Sequence, residues 1–185
     1  MATECLFRDD SYLKDCEARV VALTDQGGIV LDRTVFYATS GGQPGDTGSL
    51  TAGGVRIPIE TTVYTDAAKT EIAHVPAAGS PALNIGDKVM ASIDWDKRYA
   101  RMRMHTALHL LSAALPYAVT GGSVGDNESR LDFDIPEAGL DKDEITKKLA
   151  GMIAAGAEIR SRWITDAELA AGGVHEPDRM PFLVP

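Results

Sequence analysis

The sequence has few of the features that mark secreted, membrane-bound or disulfide-stabilised proteins. Its two cysteines, Cys5 and Cys16, do not form a CxxC pair, so neither a disulfide framework nor a cysteine-rich metal site is indicated. No apolar run approaches the roughly 18–20 residues that a membrane span requires. The charged first ten residues do not resemble a signal peptide. We therefore expect a cytoplasmic protein that does not enter a membrane.

Positive charge is also scarce. Lys and Arg total 18 against 27 Asp and Glu, which gives a formal net charge of −9. This balance argues against a general nucleic-acid-binding protein, because phosphate contacts require concentrated Lys and Arg. One cluster differs from the average, since Lys97, Arg98, Arg101 and Arg103 place four cations within seven residues. Composition alone favours a solvated helix face, whereas the position of the cluster just before two histidines favours RNA contacts.

The first half of the chain is predicted to be a small β-barrel or sandwich. Short apolar or alternating segments are separated there by Gly, Pro and Asp, the pattern of short antiparallel strands. Strands are expected at residues 16–24, 29–31, 55–57, 59–64, 72–75 and 88–95. We predict that this barrel domain comprises residues 1–92.

The second half, residues 93–185, changes to a mixed pattern. A helix is predicted over residues 96–115, which contain no Gly or Pro and precede Pro116. Its expected buried stripe consists of Met104, Ala107, Leu108, Leu111 and Leu115. Further strands are predicted at 117–124, 129–135 and 159–164, with helices at 141–158 and, capped by Thr165, through 171. The whole chain is therefore predicted to be α+β, with an N-terminal small β-barrel followed by an α/β two-layer domain.

Two of the four histidines, His105 and His109, stand four residues apart on the predicted helix. This spacing places both imidazoles on one face, one turn apart, so that both can bind the same metal ion. Two histidines do not complete a zinc site, which takes three or four protein ligands. From spacing alone, a structural pair and a metal-binding pair are equally open. Thr106 stands where the HExxH protease signature requires Glu, so that signature is absent.

Residues 32–48, here called the glycine-rich segment, are the second segment of the sequence that suggests a binding site. The adjacent Gly41 and Gly42 permit positive φ and close backbone approach, which would expose N–H groups to an anion or a ribose. The segment is not a P-loop, because it lacks a GK[ST] ending and no helix follows it. Composition alone favours a turn-rich connection between barrel strands over a ligand-binding loop.

Three segments together resemble the alanyl-tRNA editing family, which occurs as freestanding AlaX proteins and as a domain of alanyl-tRNA synthetases. Phe36-Tyr37 and residues 40–48 are similar to its FYP-x-GGGQPxDxG motif, although Ala38 replaces the usual proline and Ser40 a glycine. Residues 101–111 resemble its R-x-x-HTAxHLL motif, and residues 130–133 resemble its R-x-DF strand. A glycine-rich barrel ahead of the histidine helix resembles the longer freestanding type.

The resemblance implies an ATP-independent hydrolase that deacylates alanine tRNA mischarged with serine or glycine. It implies one Zn²⁺ per chain, with His105 and His109 among the ligands, in an editing domain over residues 93–185. Lys97, Arg98, Arg101 and Arg103 would contact the RNA. The glycine-rich segment would form one wall of the editing pocket, with substrate-binding residues Thr34, Ser40, Gly41, Gly42, Gln43 and Asp46. No catalytic side chain is assigned, and no obligate protein partner is inferred.

One departure from the family concerns the metal site. The family completes its zinc site with a Cys-Gly-Gly-Thr-His segment, and no such segment is present; residues 171–175 have a similar sequence with alanine in the cysteine position, but they directly follow a predicted short helix, and we interpret the similarity as a coincidence. We expect the remaining ligands beyond Pro185; the alternative is a homologue that has lost its metal. Two other functions stay open: a non-catalytic tRNA-binding or interaction module, and a metal hydrolase that acts on a different ester or amide.

Overall fold

A computed structural model describes residues 2–136, 139–158 and 165–170. The chain divides into two compact units, Met1–Arg101 and Met102–Pro185. The boundary between them lies inside the first long helix, whereas the predicted division lay ahead of that helix. Among the described residues, no helix is both long enough and apolar enough to cross a membrane.

The first unit contains eight strands. They are β1 (Glu4–Cys5), β2 (Asp15–Leu23), β3 (Ile29–Leu31), β4 (Arg33–Thr34), β5 (Gly48–Ala52), β6 (Val55–Tyr64), β7 (Ile72–Pro76) and β8 (Lys88–Ile93). Six of these strands form a closed antiparallel barrel in the order β2-β3-β7-β6-β5-β8, in which β8 pairs back onto β2. The two short strands β1 and β4 pair with each other in parallel. Of the two predicted alternatives, a small β-barrel and a sandwich, the structure has the barrel.

Apolar side chains at alternate positions of the strands fill the barrel interior. Val89, Ala91 and Ile93 of β8 are buried and alternate with more exposed neighbours. Ile57 and Ile59 do the same in β6. Together with fully buried side chains such as those of Phe36, Leu31 and Leu50, they form one apolar cluster. Burial of each large apolar side chain contributes about 1.5–3 kcal/mol, so this cluster fixes the scaffold on which the glycine-rich segment lies.

The barrel strands differ from the prediction in two places. The segments expected at 55–57 and 59–64 are one continuous strand, because Pro58 lacks only an N–H donor and its carbonyl still accepts a hydrogen bond from Ala77. Strand β5 was not predicted. It follows directly on the glycine-rich segment, and its sequence of small residues does not alternate in hydrophobicity.

The long helix α1 spans Trp95–Ala114, close to the predicted bounds. Its buried residues are Arg98, Arg101, Met102, His105, Leu108 and Ala114. The predicted apolar stripe is therefore wrong in part: Leu108 is buried, but Ala107 is exposed and Met104, Leu111 and Leu115 are only half-buried. Polar residues take part of the buried face because their side chains find hydrogen-bonding partners within the protein.

The second unit continues with an antiparallel pair, β9 (Val119–Ser123) and β10 (Arg130–Phe133), followed by the helices α2 (Lys142–Ala154) and α3 (Asp166–Ala170). Asp141 caps α2 by accepting hydrogen bonds from two backbone N–H groups of its first turn. Thr165 and Glu168 form a reciprocal capping box at α3. These elements agree with the predicted ones. The strand expected at 159–164 lies outside the described residues, and the α/β two-layer arrangement stays a prediction.

Candidate functional site

The centre of the glycine-rich segment is a two-residue hairpin turn, Ser40–Gln43, which we call the glycine turn. The backbone N–H of Ser40 donates to the carbonyl of Gln43 at 3.1 Å, and that of Gln43 donates to the carbonyl of Ser40 at 2.9 Å. Gly41 and Gly42 have φ of 55° and 79°. Positive φ at both central residues defines a type I′ turn, which strongly favours glycine there. The turn geometry therefore accounts for this glycine pair.

Beyond the turn, the segment lies directly on strand β6. A Cβ atom added at Gly45 would lie 2.0 Å from the carbonyl oxygen of Thr62, so the two backbones touch. The N–H of Gly45 donates to Oγ1 of Thr39 at 2.8 Å, and the N–H of Thr39 donates to the same Thr62 carbonyl at 2.8 Å. The close packing against Thr62 is sufficient to explain why residue 45 is glycine.

Asp46 anchors the segment through a buried ion pair with Arg98 of α1. Both side chains are almost completely buried, at 2% and 4% exposure. Nε of Arg98 donates to the two carboxylate oxygens at 3.1 and 3.0 Å, and its Nη2 makes a further short contact with Oδ2. The backbone N–H of Tyr37 donates to the same carboxylate at 2.7 Å. Arg98 also donates to the carbonyls of Val35 and Ser11. Both charges are thus compensated inside the protein.

A second arginine of α1 binds the backbone of the same segment. Nη1 of Arg101, a buried residue, donates to the carbonyls of Gly45 at 2.9 Å and Pro44 at 3.3 Å. The geometry therefore does not favour RNA contacts for Arg98 or Arg101. Lys97 and Arg103 are exposed, so the RNA-binding prediction rests on these two cations.

Thr34 lies in a buried chain of hydrogen bonds that the sequence did not reveal. The N–H of Phe36 donates to Oγ1 of Thr34 at 3.0 Å, and this hydroxyl lies 2.8 Å from Nε2 of His74. Nδ1 of His74 lies 2.9 Å from the carbonyl of Ile29, which can only accept, so Nδ1 carries the proton and Nε2 accepts from Thr34. Burial lowers the pKa of His74 to about 4. The geometry does not favour substrate recognition by Thr34.

The remaining predicted substrate residues lie at the glycine turn. Gln43 is buried, whereas Ser40 is half-buried and Gly42 is exposed. Oγ of Ser40 accepts a hydrogen bond from Nζ of Lys69 at 2.7 Å. No sequence pattern singles out Lys69, because the contact joins two loops that are distant in the chain.

His105 and His109 face each other on α1, as the spacing predicted. Their Nε2 atoms are 3.0 Å apart and the rings stack with centroids 4.8 Å apart. Burial, and secondarily repulsion from His109, lowers the pKa of His105 to about 4, while burial lowers the pKa of His109. Both rings are therefore neutral at pH 7, the form that binds metal ions.

The arrangement of the two imidazoles fits a shared metal ion. Two nitrogens bound to a tetrahedral zinc ion at 2.0–2.1 Å lie about 3.3 Å apart, close to the separation of the two Nε2 atoms. Two imidazoles alone do not make a zinc site, which takes three or four protein ligands. Within the described residues, no group of three or more His, Cys, Asp and Glu side chains forms a complete site.

Comparison with known proteins links these features to one group of proteins. A sequence model of the family described as tRNA synthetases class II (A) matches residues 10–97. The alanyl-tRNA editing protein AlaX-M of Pyrococcus horikoshii is 34% identical over 95% of the chain and 86% of its own length. The AlaX-M protein of Methanosarcina mazei is 39% identical over 83% of the chain, which spans 64% of that relative. An alanine–tRNA ligase of Pyrobaculum aerophilum is 37% identical over 74% of the chain and 16% of its own length.

Proposed function

This chain belongs to the family of alanyl-tRNA editing proteins, and on that premise we propose that it deacylates alanine tRNA mischarged with serine or glycine. We further propose that the reaction depends on a zinc ion bound by His105 and His109. The observation that carries the proposal is the pair of neutral, facing imidazoles on α1. Their separation supports a shared metal ion, and the family membership supplies the substrate class.

A zinc ion at this pair would polarise the ester carbonyl, activate water or hold the substrate amine. The protein's own contribution is to keep both imidazoles neutral and aligned through burial and stacking. The free cysteines Cys5 and Cys16 have a raised pKa, because both thiols are partly buried, and are therefore poor nucleophiles at neutral pH. An aminoacyl ester is already labile, so positioning and modest electrostatic stabilisation suffice.

The glycine-rich segment contributes to the proposed function in two ways. Asp46, through Arg98 of α1, and Gly45, through its contact with β6, hold the segment in place, and Gln43 is buried. Ser40, Gly41 and Gly42 present the accessible part of the glycine turn, and we propose that this part contacts the aminoacyl end of the tRNA. Of the side chains of the glycine turn, only that of Ser40 is partly accessible. Its hydroxyl group can form a hydrogen bond with the hydroxyl group of a serine substrate. A hydroxyl contact of this kind would favour a seryl ester over an alanyl ester, which leaves the site unpaired; it does not account for hydrolysis of the glycyl ester.

The proposal is tested by measuring zinc content and deacylation together. We expect the full-length protein to bind about one zinc ion and to hydrolyse seryl- and glycyl-tRNA of the alanine acceptor faster than alanyl-tRNA. His105→Ala and His109→Ala should each lose most of the zinc and at least tenfold in rate. Thr106→Ala is the matched control, because it leaves both imidazoles in place and should retain the zinc.

The alternative functions give different results in the same experiment. A non-catalytic tRNA-binding module would bind tRNA but leave all three aminoacyl esters intact. A hydrolase for other esters would cleave small aminoacyl esters as fast as aminoacyl-tRNA. Undiminished zinc in both histidine variants would refute the metal assignment even if deacylation were observed.

A further inference from the structure

Left-handed backbone in the described residues is almost always supplied by glycine. The positive-φ glycines are Gly27, Gly41, Gly42, Gly53, Gly54, Gly79, Gly86 and Gly156. Among the residues that the structure describes, the one other with positive φ is Lys69, at 56°. An L-residue with a Cβ atom is strained in this conformation, so a lysine at a position suited to glycine calls for a reason in its side chain.

Hydrogen bonds fix the backbone of the loop that contains Lys69, and with it the positive φ of this residue. The carboxylate of Asp66 accepts hydrogen bonds from the N–H and the hydroxyl of Thr70 and from the N–H of Glu71, at 2.8–3.2 Å. These bonds, with the donation from the N–H of Lys69 to the carbonyl of Asp66, hold the loop between β6 and β7. The loop therefore fixes the direction of the Cα–Cβ bond of Lys69.

That direction brings the ammonium group to the glycine turn. Nζ of Lys69 donates to Oγ of Ser40 at 2.7 Å and lies 5.9 Å from the centre of the Tyr64 ring. Lys69 is nevertheless exposed, and no carboxylate of the described residues forms an ion pair with it. In a chain of net charge −9, an uncompensated cation is thus held beside the accessible part of the turn.

We propose that Lys69 binds a backbone phosphate of the tRNA next to the aminoacyl end. The inference rests on the proposed function, since that function brings an RNA end to the glycine turn. A hydroxyl leaves a lysine two further N–H donors, which are free to contact phosphate oxygens. This contact accounts for the lysine at position 69, because glycine would satisfy the backbone but would supply no charge.

The test measures two effects of Lys69 separately: the effect of its positive φ on stability and the effect of its charge on tRNA binding. Lys69→Gly should raise the melting temperature by about 2–4 °C, because glycine accepts positive φ without strain. The same variant should bind uncharged alanine tRNA several-fold more weakly at 0.1 M salt. Its log–log salt dependence should be shallower by about 0.7–0.9, the contribution of one phosphate contact. Lys69→Arg keeps the charge and should retain the salt dependence.

Lys88→Thr is the matched control, because Lys88 is an exposed cation of barrel strand β8 that lies opposite Arg19 of β2, and its loss should not change the salt dependence. Tight binding and an unchanged slope in Lys69→Gly would overturn the inference. A lower melting temperature with an unchanged slope would also overturn it, by making Lys69 a structural tie to Ser40. Because uncharged tRNA is used, failure of the phosphate contact is distinguishable from failure of deacylation by the wild-type chain.

Discussion

The glycine-rich segment and the histidine pair are both rich in polar residues or glycine, but their side chains have different partners in the structure. In the glycine-rich segment, Thr34 and Thr39 are hydrogen-bonded to other parts of the barrel, and Asp46 is hydrogen-bonded to Arg98 of α1. In the histidine pair, two neutral nitrogens face each other at 3.0 Å. A motif that is recognisable in the sequence can thus consist mainly of residues that hold the backbone in place, or of residues whose side chains pair with each other. Substitutions should separate the two cases: stability should change in the first region, and zinc content and rate in the second.

The largest expected effect on stability follows from breaking the buried ion pair. Arg98→Met leaves the carboxylate of Asp46 buried without its partner, which should cost about 3–5 kcal/mol of unfolding free energy. Urea denaturation followed by fluorescence measures the change. Arg33→Met removes an exposed ion pair with Glu4 and should cost no more than about 1 kcal/mol. Equal losses in the two variants would show that the segment is not anchored by the buried pair.

A smaller loss is expected from filling the contact between the segment and β6. Gly45→Ala places a methyl group against the backbone of Thr62, and overpacking of this kind costs about 1–3 kcal/mol. Gly151→Ala is the control, since a Cβ atom there meets nothing within 4 Å and a helix favours alanine by up to about 1 kcal/mol. A Gly45→Ala protein as stable as wild type would mean that the two backbones separate easily.

His74 makes the stability of the barrel depend on pH. Its folded pKa, about 4, lies below the ordinary value of 6.5 because of burial, so the unfolded chain binds a proton that the folded chain does not. The stabilisation is present above pH 6.5 and is lost as the pH falls towards 4, by at most about 1.4 kcal/mol per pH unit. Replacing His74 with Gln should flatten this part of the stability profile. An unchanged profile, measured by urea denaturation across this range, would assign the dependence to other groups.

The smallest effect is expected at the exposed cations of α1. Charge reversal of both Lys97 and Arg103 should weaken tRNA binding and reduce its salt dependence, because each phosphate contact adds to that slope. Arg98 and Arg101 are buried and bound to the protein, so their removal should alter stability more than the salt slope. An unchanged slope in the double reversal would identify Lys97 and Arg103 as a solvated face.

The sequence predicted those features that depend on local periodicity. The short β-strands, the helix α1 and the facing of His105 and His109 follow from period-2 and period-3.6 patterns, and all three are present. The bonds of Arg98 to Asp46 and of His74 to Thr34 were not predictable, because each joins residues at least 40 positions apart. A charged or polar residue looks the same in the sequence whether it is solvated or bound inside the protein.

Closure of the barrel also has a consequence for the order in which the chain can fold during synthesis. Strand β2 completes the ring only by pairing with β8, and the partners Asp15 and Ser92 are roughly 80 residues apart in the chain. At about 5–20 residues per second of translation, the first barrel strand waits roughly 4–16 s before its last neighbour is made. The β5–β6 hairpin, joined by a two-residue connection, can form well before that. The emerging chain therefore carries β2 with one side unpaired for several seconds, and this interval is when the barrel is most exposed to pairing with a wrong strand.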